Sequence, residues 1–362
     1  MAIEGKILDY LEKEWRTFEE FPFNEVDYAV FSLLSYFSFH AFLPLYGDSI
    51  SLGEMYDISK KDAFLNRIAY SKNDERLYLA ITGNPRYQNV RALRYEHFSF
   101  SSYEEQFAAI SFYLPSNEEV IAYRGTDSSL VGWKEDFLLA TEKPLACQLD
   151  ARKYFLNELH FSNKPIILVG HSKGGNLASF VYFSTTEEER KRIKAVYSFD
   201  GPGFSKEMIR NLSLVERREK YFHFVPVDSI FGQLYQENTL SLIIGSEGKY
   251  FEQHSLYNWR VEGDHFVRES LTNPSLKKVM NSVNDWANHT SLDERYYLIE
   301  TLFSLLISAG IKNAREIVDQ KFDSFLKVRK EYKKLPEEDK KRLNSIGKNL
   351  FVLLKNNFLS KP

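Results

Sequence analysis

The sequence predicts an α/β fold, in which a mainly parallel sheet is covered by helices on both faces and is followed by a C-terminal helical appendage. Apolar runs rich in β-branched and aromatic residues alternate with helical patterns between residues 106 and 245. One such run, at residues 165–169, leads through a glycine-rich turn into a helical pattern. From Ser291 the strand patterns cease, and helical patterns continue to Phe358. Alternating strands and helices are typical of a parallel sheet with two helical layers.

Six runs have the length and composition of strands, namely residues 106–114, 119–124, 165–169, 193–199, 221–227 and 241–245. A turn over residues 115–117 separates the first two runs, so we expect them to form a hairpin. Helical spacing of apolar residues predicts helices over residues 6–20 and 150–159.

A change of pattern near residue 290 predicts two parts, an α/β domain over residues 1–290 and a C-terminal helical extension over residues 291–362. The run from Ser291 to Glu294 matches a capping box, which marks the start of a helix. Gly310 and Pro336 are expected to interrupt the helices that follow.

Charge and cysteine content exclude several classes of function. The 47 basic and 50 acidic residues give a net charge of −3, so no nucleic-acid partner is expected. A single cysteine, Cys147, allows neither an intramolecular disulfide nor a thiolate metal cluster, and we expect no metal or cofactor. The first residues lack the basic start and apolar core of a signal peptide, which predicts a cytoplasmic location.

Residues 28–47 contain no charged side chain, a length that raises the question of a membrane span. The stretch also contains three serines, His40 and Pro44. We therefore expect a buried helix that starts near Asn24 and ends near Phe39. A membrane span and a surface that contacts lipid are the less favoured alternatives.

The turn at residues 170–174 matches the pattern G-x-S-x-G, which presents a serine hydroxyl above the end of a sheet. Ser172 is therefore the candidate nucleophile. The alternative interpretation is a structural glycine-rich turn between a strand and a helix.

A serine nucleophile needs a base, and the base needs a carboxylate that fixes its tautomer. Four histidines follow Ser172. His254 is the preferred base because it lies on a loop after a predicted strand, and His265 is the alternative. His223 lies inside a predicted strand and is expected to be a core residue.

Two aspartates follow predicted strands, at the carboxyl ends where catalytic loops of parallel sheets lie. Asp228 is the preferred acid. Asp200 is the alternative, because the run Gly201-Pro202-Gly203 after it suggests a role in stabilising a turn. An oxyanion hole is expected from the backbone N–H of Lys173 and from the turn that holds Gly125 and Thr126.

Three motifs in this order resemble the class 3, or fungal-type, lipase family: residues 121–126, Trp133 with Asp136, and residues 170–178. A fourth motif, residues 199–204 with 225–228, makes the resemblance more specific. The chain resembles an uncharacterised bacterial branch of that superfamily more closely, although Lys173 stands where many of these lipases have Leu.

The resemblance covers about residues 20–270, and it implies that residues 1–290 form a catalytic domain with the α/β-hydrolase fold. It implies a triad of Ser172, Asp228 and His254. It also implies an oxyanion hole at Thr126 and Lys173 and a structural ion pair between Arg124 and Asp136.

These observations predict a serine hydrolase that is esterase- or lipase-like. The chain would cleave the carboxylic ester of a small molecule or a lipid through an acyl-enzyme. An acyltransferase or a thioesterase would use the same triad. A catalytically silent binding protein is the alternative from another class.

Overall fold

The structure is a computed structural model that describes residues 4–45, 47–65, 72–100, 105–126, 134, 138, 144–204, 219–235, 241–311 and 321–359. The strands in this part of the chain are β1 (Glu4–Lys6), β2 (Ser49–Ser51), β3 (Arg91–Phe100), β4 (Glu105–Tyr113), β5 (Glu119–Tyr123), β6 (Ile166–His171), β7 (Ile193–Phe199), β8 (Tyr221–Pro226), β9 (Ser241–Ile244), β10 (Arg260–Glu262) and β11 (His265–Phe266).

The α-helices in the same ranges are α1 (Ile7–Lys13), α2 (Glu25–Leu34), α3 (Ile58–Phe64), α4 (Lys72–Gly83), α5 (Pro85–Gln88), α6 (Ala146–Phe161), α7 (Lys173–Ser184), α8 (Glu187–Lys191), α9 (Phe251–His254), α10 (Pro274–His289), α11 (Leu292–Ser308), α12 (Lys321–Lys334) and α13 (Glu337–Leu359).

Strands β2 to β9 form one sheet in chain order. Neighbours from β2 to β5 are antiparallel, and neighbours from β5 to β9 are parallel. The predicted hairpin is present, with Tyr113 opposite Glu119. All six predicted strands are confirmed, and their ends differ from the prediction by at most two residues.

Helices cover both faces of this sheet. Alternate residues of a strand point to opposite sides, and on β6 the residues of both sides are mainly apolar. On one side, Phe31 of α2 shares a hydrophobic cluster with Val169 of β6. On the other, Phe155 of α6 and Leu177 of α7 share a cluster with Leu168 of β6. Strand β6 is buried along its whole length, as expected for a central parallel strand. The predicted α/β architecture is confirmed.

Strand β3 has no counterpart among the predicted strands. Its register against β4 shifts between Leu93 and Glu96, and Arg94 between them has a φ of 49°. Such a bulge breaks the alternation of apolar and polar residues by which a half-buried strand is recognised.

Arg94 uses this conformation to reach two buried carboxylates at the end of the sheet opposite Ser172. Its Nε lies 2.7 and 2.6 Å from the two carboxylate oxygens of Glu158 on α6, and its Nη2 lies 2.9 Å from Oε1 of Glu119 on β5. Both glutamate side chains are fully buried. Burial, followed by the neighbouring carboxylate of Glu158, raises the pKa of Glu119 to about 8.

The Glu119→Gln variant should therefore change how stability depends on pH. Because the folded state raises the pKa of Glu119 from 4.5 to about 8, its contribution to stability is present below about pH 4.5 and is lost as pH rises through about 8. Glutamine carries no charge, so the Tm of the variant relative to the parent should rise between about pH 4.5 and about pH 8 and stay level above that. Exposed Glu262, changed to Gln, is the control. Parallel plots of Tm against pH for parent and Glu119→Gln would contradict this expectation.

The uncharged stretch forms a buried helix, as predicted, but the helix is shorter. Asn24 caps α2 by accepting hydrogen bonds from the N–H groups of Val26 and Asp27. The helix ends at Leu34 rather than near Phe39, and a short 3-10 turn follows. Across the ranges described above, no helix combines the length and the apolar character needed to cross a membrane.

The C-terminal helices begin where the capping box predicts. Ser291 accepts a hydrogen bond from the N–H of Glu294, and α11 ends two residues before Gly310, which has a φ of 75°. Helix α13 packs on α10, where Trp286 and Ile346 share a small hydrophobic cluster. At the other end of the chain, α1 ends at Lys13, although the spacing predicts a helix to residue 20.

A second, three-stranded sheet joins the start of the chain to a segment that follows His254. Strand β1 pairs antiparallel with β10, with Glu4 opposite Glu262, and β10 pairs with β11. Strand β1 therefore supports the segment next to the predicted base.

Candidate active site

Ser172 lies between the last residue of β6 and the first residue of α7. Its backbone has a φ of 57° and a ψ of −127°, a strained conformation for any residue that has a side chain. Its N–H donates to the carbonyl of Phe199 on β7 at 2.9 Å, and its carbonyl accepts from the N–H of Gly175 at 2.9 Å. The predicted sharp turn between strand and helix is confirmed.

Two glycines of the motif are required by close contacts between backbones. A Cβ on Gly170 would lie 2.1 Å from the carbonyl oxygen of Gly174, and a Cβ on Gly174 would lie 2.1 Å from the carbonyl oxygen of Tyr123. Strands β5 and β6 and the start of α7 therefore meet without intervening side chains, and this contact holds the turn around Ser172.

His254 is hydrogen-bonded to the carboxylate of Asp200, with Nδ1 2.6 Å from Oδ2. Because an ionised carboxylate only accepts hydrogen bonds, Nδ1 carries the proton. The Nε2 atom of the neutral imidazole is then free of a proton and can accept one from a hydroxyl. Asp200 is fully buried, whereas the His254 side chain is 19% exposed.

The other oxygen of Asp200 is held by the turn after β8. Its Oδ1 accepts hydrogen bonds from the Ser229 hydroxyl and from the N–H of Gly232, the latter at 3.0 Å. A Cβ on Gly232 would lie 2.3 Å from this oxygen, so only glycine fits there. Asp200 itself has a φ of 53°. These contacts fix the carboxylate that faces His254.

The preference for Asp228 over Asp200 as the partner of the base is therefore corrected. The carboxylate of Asp228 accepts from Asn273 Nδ2 at 2.7 Å and from Gln253 Nε2 at 3.4 Å, and not from His254. Both aspartates follow parallel strands. The left-handed backbone at Asp200 turns its carboxylate towards His254, whereas the carboxylate of Asp228 faces the start of α10.

Two other downstream histidines face other groups. His223 is fully buried, and its ring faces the carbonyl of Gly201 and the hydroxyl of Ser241, each at 2.9 Å. Burial lowers its pKa, and its prediction as a core residue is confirmed. The alternative base His265 is exposed and faces Asp264.

His171 links the nucleophile turn to the predicted base, a role the sequence does not indicate. Its Nε2 donates to the backbone carbonyl of His254 at 2.7 Å, so Nδ1 of the neutral ring accepts from the Tyr36 hydroxyl at 2.9 Å. The rings of His171 and His254 lie 4.5 Å apart. A Cβ on Gly125 would lie 1.9 Å from the Tyr36 hydroxyl oxygen, so any side chain at position 125 would displace Tyr36.

The predicted oxyanion residues lie at the carboxyl end of the parallel strands, as Ser172 does. Lys173 begins α7, where the first N–H groups of a helix have no partner within the helix, and Thr126 follows β5 and is partly exposed. The Lys173 side chain is buried, and its Nζ donates to the carbonyl of Gln106 on β4 at 2.9 Å. Asp136, the predicted partner of Arg124, lies outside the described residues, as does Trp133.

Asn176 ties the helix after the nucleophile to the turn after Asp200. Its amide donates to the carbonyls of Pro202 and Gly203 at 3.1 and 3.3 Å and accepts from Gln148 at 2.8 Å. The sequence places Asn176 in the nucleophile motif without indicating this function.

The loops at the carboxyl ends of the parallel strands therefore hold Ser172, the pair of His254 and Asp200, and the two predicted N–H donors. No hydrogen bond joins the Ser172 hydroxyl to His254 among the residues with described positions. In those same residues, no group of three or more His, Cys, Asp or Glu side chains could hold a metal ion.

Comparison with known proteins gives a family match and distant structural matches. One solved structure is a mutant form of MDLA from Penicillium cyclopium, at 14% identity over 66% of this chain and 84% of that chain, with a TM-score of 0.37. Another is the Rhizomucor miehei lipase in a propeptide complex, at 16% identity over 60% and 67%, with a TM-score of 0.34. No curated protein matches the chain.

The family model that matches is described as Mbeg1-like, and it covers residues 81–304. This range includes strands β3 to β11 and the predicted site residues. Because the match extends over more than half of the sequence, the chain belongs to the Mbeg1-like family, a lipase-like family.

Proposed function

We propose that the chain is a serine hydrolase that cleaves a carboxylic ester through an acyl-enzyme, with Ser172 as nucleophile, His254 as base and Asp200 as acid. The observation that carries the proposal is the hydrogen bond of 2.6 Å between His254 and a fully buried Asp200, at the sheet edge where Ser172 has a strained backbone. A buried carboxylate that fixes the tautomer of an imidazole beside a serine turn is the arrangement that activates a hydroxyl.

In the first step, Ser172 Oγ attacks the carbonyl carbon of the ester while its proton passes to Nε2 of His254. The carbonyl oxygen becomes an oxyanion, which the backbone N–H groups of Lys173 and Thr126 would stabilise. The carbon–oxygen bond to the alcohol then breaks, and the leaving alkoxide takes the proton from His254. Water repeats the sequence on the acyl-enzyme, which releases the acid and regenerates Ser172.

An aromatic surface beside the base supports an ester with an apolar part. The ring of Phe231 lies 4.3 Å from the His254 ring, and the ring of Phe251 lies 6.0 Å from that of Phe231. Phe251 is 49% exposed, so the surface is open to solvent. We therefore propose a small-molecule or lipid ester as substrate, without assigning its acyl chain or its alcohol.

The proposal is tested by labelling the folded protein with a fluorophosphonate and mapping the labelled peptide. We expect the label on Ser172, and we expect none on the Ser172→Ala variant. Ser116→Ala, which changes an exposed turn serine, is the matched control and should label like the parent. Absence of label on folded parent protein would overturn the hydrolase and favour a binding protein.

Thr126→Val should lower kcat by about 10- to 1,000-fold and leave KM little changed, if its hydroxyl adds to stabilisation of the oxyanion. The variant keeps the shape and the backbone N–H but deletes the hydroxyl. Steady-state kinetics on a short-chain ester and the Tm should be measured together. A lower Tm with normal kcat would show that the hydroxyl only stabilises the turn.

The predicted bacterial branch of the lipase superfamily and the predicted cytoplasmic location remain proposals. The predicted boundary between two domains near residue 290 also remains a proposal, with all the proposed catalytic residues before it.

A further inference from the structure

Asp228 is bound to the residue that immediately precedes the proposed base. Its N–H donates to Oε1 of Gln253 at 2.8 Å, and its Oδ2 accepts from Nε2 of Gln253 at 3.4 Å. The Gln253 side chain is almost fully buried. The two residues therefore form a two-point contact across the loops that follow β8 and β9.

Gln253 is also held by its own segment. Its Nε2 donates to the carbonyl of Gly248 at 3.0 Å, and its carbonyl accepts from the indole N–H of Trp259 at 2.8 Å. Helix α9, which ends at His254, has only four residues. A helix of one turn has little stability of its own, so tertiary contacts determine where His254 lies.

The second oxygen of Asp228 is fixed from the opposite side. Its Oδ1 accepts from Asn273 Nδ2 at 2.7 Å, while the Asn273 N–H donates to the carbonyl of Val227 at 2.8 Å. Asn273 in turn caps α10. A carboxylate has acceptors only, so it suits a position between two amide donors, which a neutral amide in its place would not satisfy.

We infer that Asp228 is a positioning residue that acts on His254 through Gln253. The inference rests on the proposed function, because it assigns the placement of the proposed base. Among the described residues, Asp228 makes no hydrogen bond or ion pair with the imidazole of His254. Its carboxylate instead accepts from Gln253, a residue of α9, and in this way holds α9 where His254 meets Asp200.

The test compares Asp228→Asn, Gln253→Met and the double variant. Each single change should lower kcat by about 10- to 100-fold with KM little changed, as expected for a base displaced by a fraction of an ångström or more. The double variant should be no less active than the less active of the two single variants, because both changes disrupt the same contact between the side chains of Asp228 and Gln253. The acid limb of the pH profile should keep its midpoint, since Asp200 still faces His254.

Asp264→Asn is the matched control, because it removes an exposed contact between an aspartate and a histidine. A loss near 10⁴-fold in Asp228→Asn, with a shifted acid limb, would make Asp228 the catalytic acid and overturn the inference. An unchanged kcat in Asp228→Asn, or additive losses in the double variant, would overturn it as well.

A measurement without substrate separates this inference from the proposed function. The Nδ1 proton of His254, bound to Asp200, should give a downfield proton resonance in the folded protein. We expect Asp228→Asn and Gln253→Met to shift or broaden this resonance and Asp264→Asn to leave it unchanged. A resonance unaffected by Asp228→Asn overturns the positioning role. Absence of fluorophosphonate labelling with a normal resonance overturns the hydrolase alone.

Discussion

The Ser172→Ala variant should lower kcat on a short-chain ester by about 10⁴- to 10⁶-fold. The alanine cannot form an acyl-enzyme, and any remaining turnover would come from binding and from the oxyanion donors. Ester turnover of purified parent and variant should be compared after both are shown to be folded by circular dichroism. Turnover within about tenfold of the parent would mean that Ser172 is not the nucleophile.

A matched Ser172→Gly variant makes this expectation sharper. The backbone at Ser172 has a φ of 57°, which glycine adopts without strain, and the side chain makes no capping hydrogen bond to α7 in the described structure. We therefore expect Ser172→Gly to be as inactive as Ser172→Ala but more stable than it by about 1 kcal/mol. Equal Tm values for the two variants would show that the turn stores no strain.

Asp200→Asn should have the next largest effect, a fall in kcat of about 10⁴-fold. An amide at this position donates to Nδ1, which moves the imidazole proton to Nε2, the atom that must accept the serine proton. The oxygen of the new amide can still accept from Ser229 and Gly232, so the fold should persist. The downfield resonance of the His254 Nδ1 proton should disappear.

The contrast with Asp228→Asn decides which aspartate is the acid. Suppose that Asp200→Asn retained turnover within about tenfold of the parent while Asp228→Asn lost about 10⁴-fold. Asp228 would then be the acid, although its carboxylate is hydrogen-bonded to Asn273 and Gln253 in the structure. Melting temperatures of both variants should be measured, because each removes a charge from a hydrogen-bonded site.

Local patterns predict the central strands and the nucleophile turn. Strand β7 lies at residues 193–199 as expected, and the turn at Ser172 follows from glycine spacing that the close contacts of Gly170 and Gly174 explain. These features depend on interactions within a few residues or on an apolar run that is long enough to recognise. For that reason one sequence is sufficient to predict them.

Partners brought together from distant loops are not predicted. Asp200 and Asp228 both follow parallel strands, and the choice between them depends on a positive φ and on the absence of a side chain at Gly232. Tyr36 lies in an uncharged stretch whose composition predicts a buried helix, yet its hydroxyl is hydrogen-bonded to His171 beside the base. Such contacts depend on how three or four loops pack, which no local pattern encodes.

The pairing of β1 with β10 has a consequence for biosynthesis. Strand β1 is synthesised well before its partner β10, which follows the segment that carries His254. At about 5–20 residues per second, β1 waits on the order of tens of seconds for this partner. During that time its edge is unpaired and open to chaperones or to other nascent chains. The pairing of β1 with β10, next to the segment that carries the base, can form only after translation has passed Glu262.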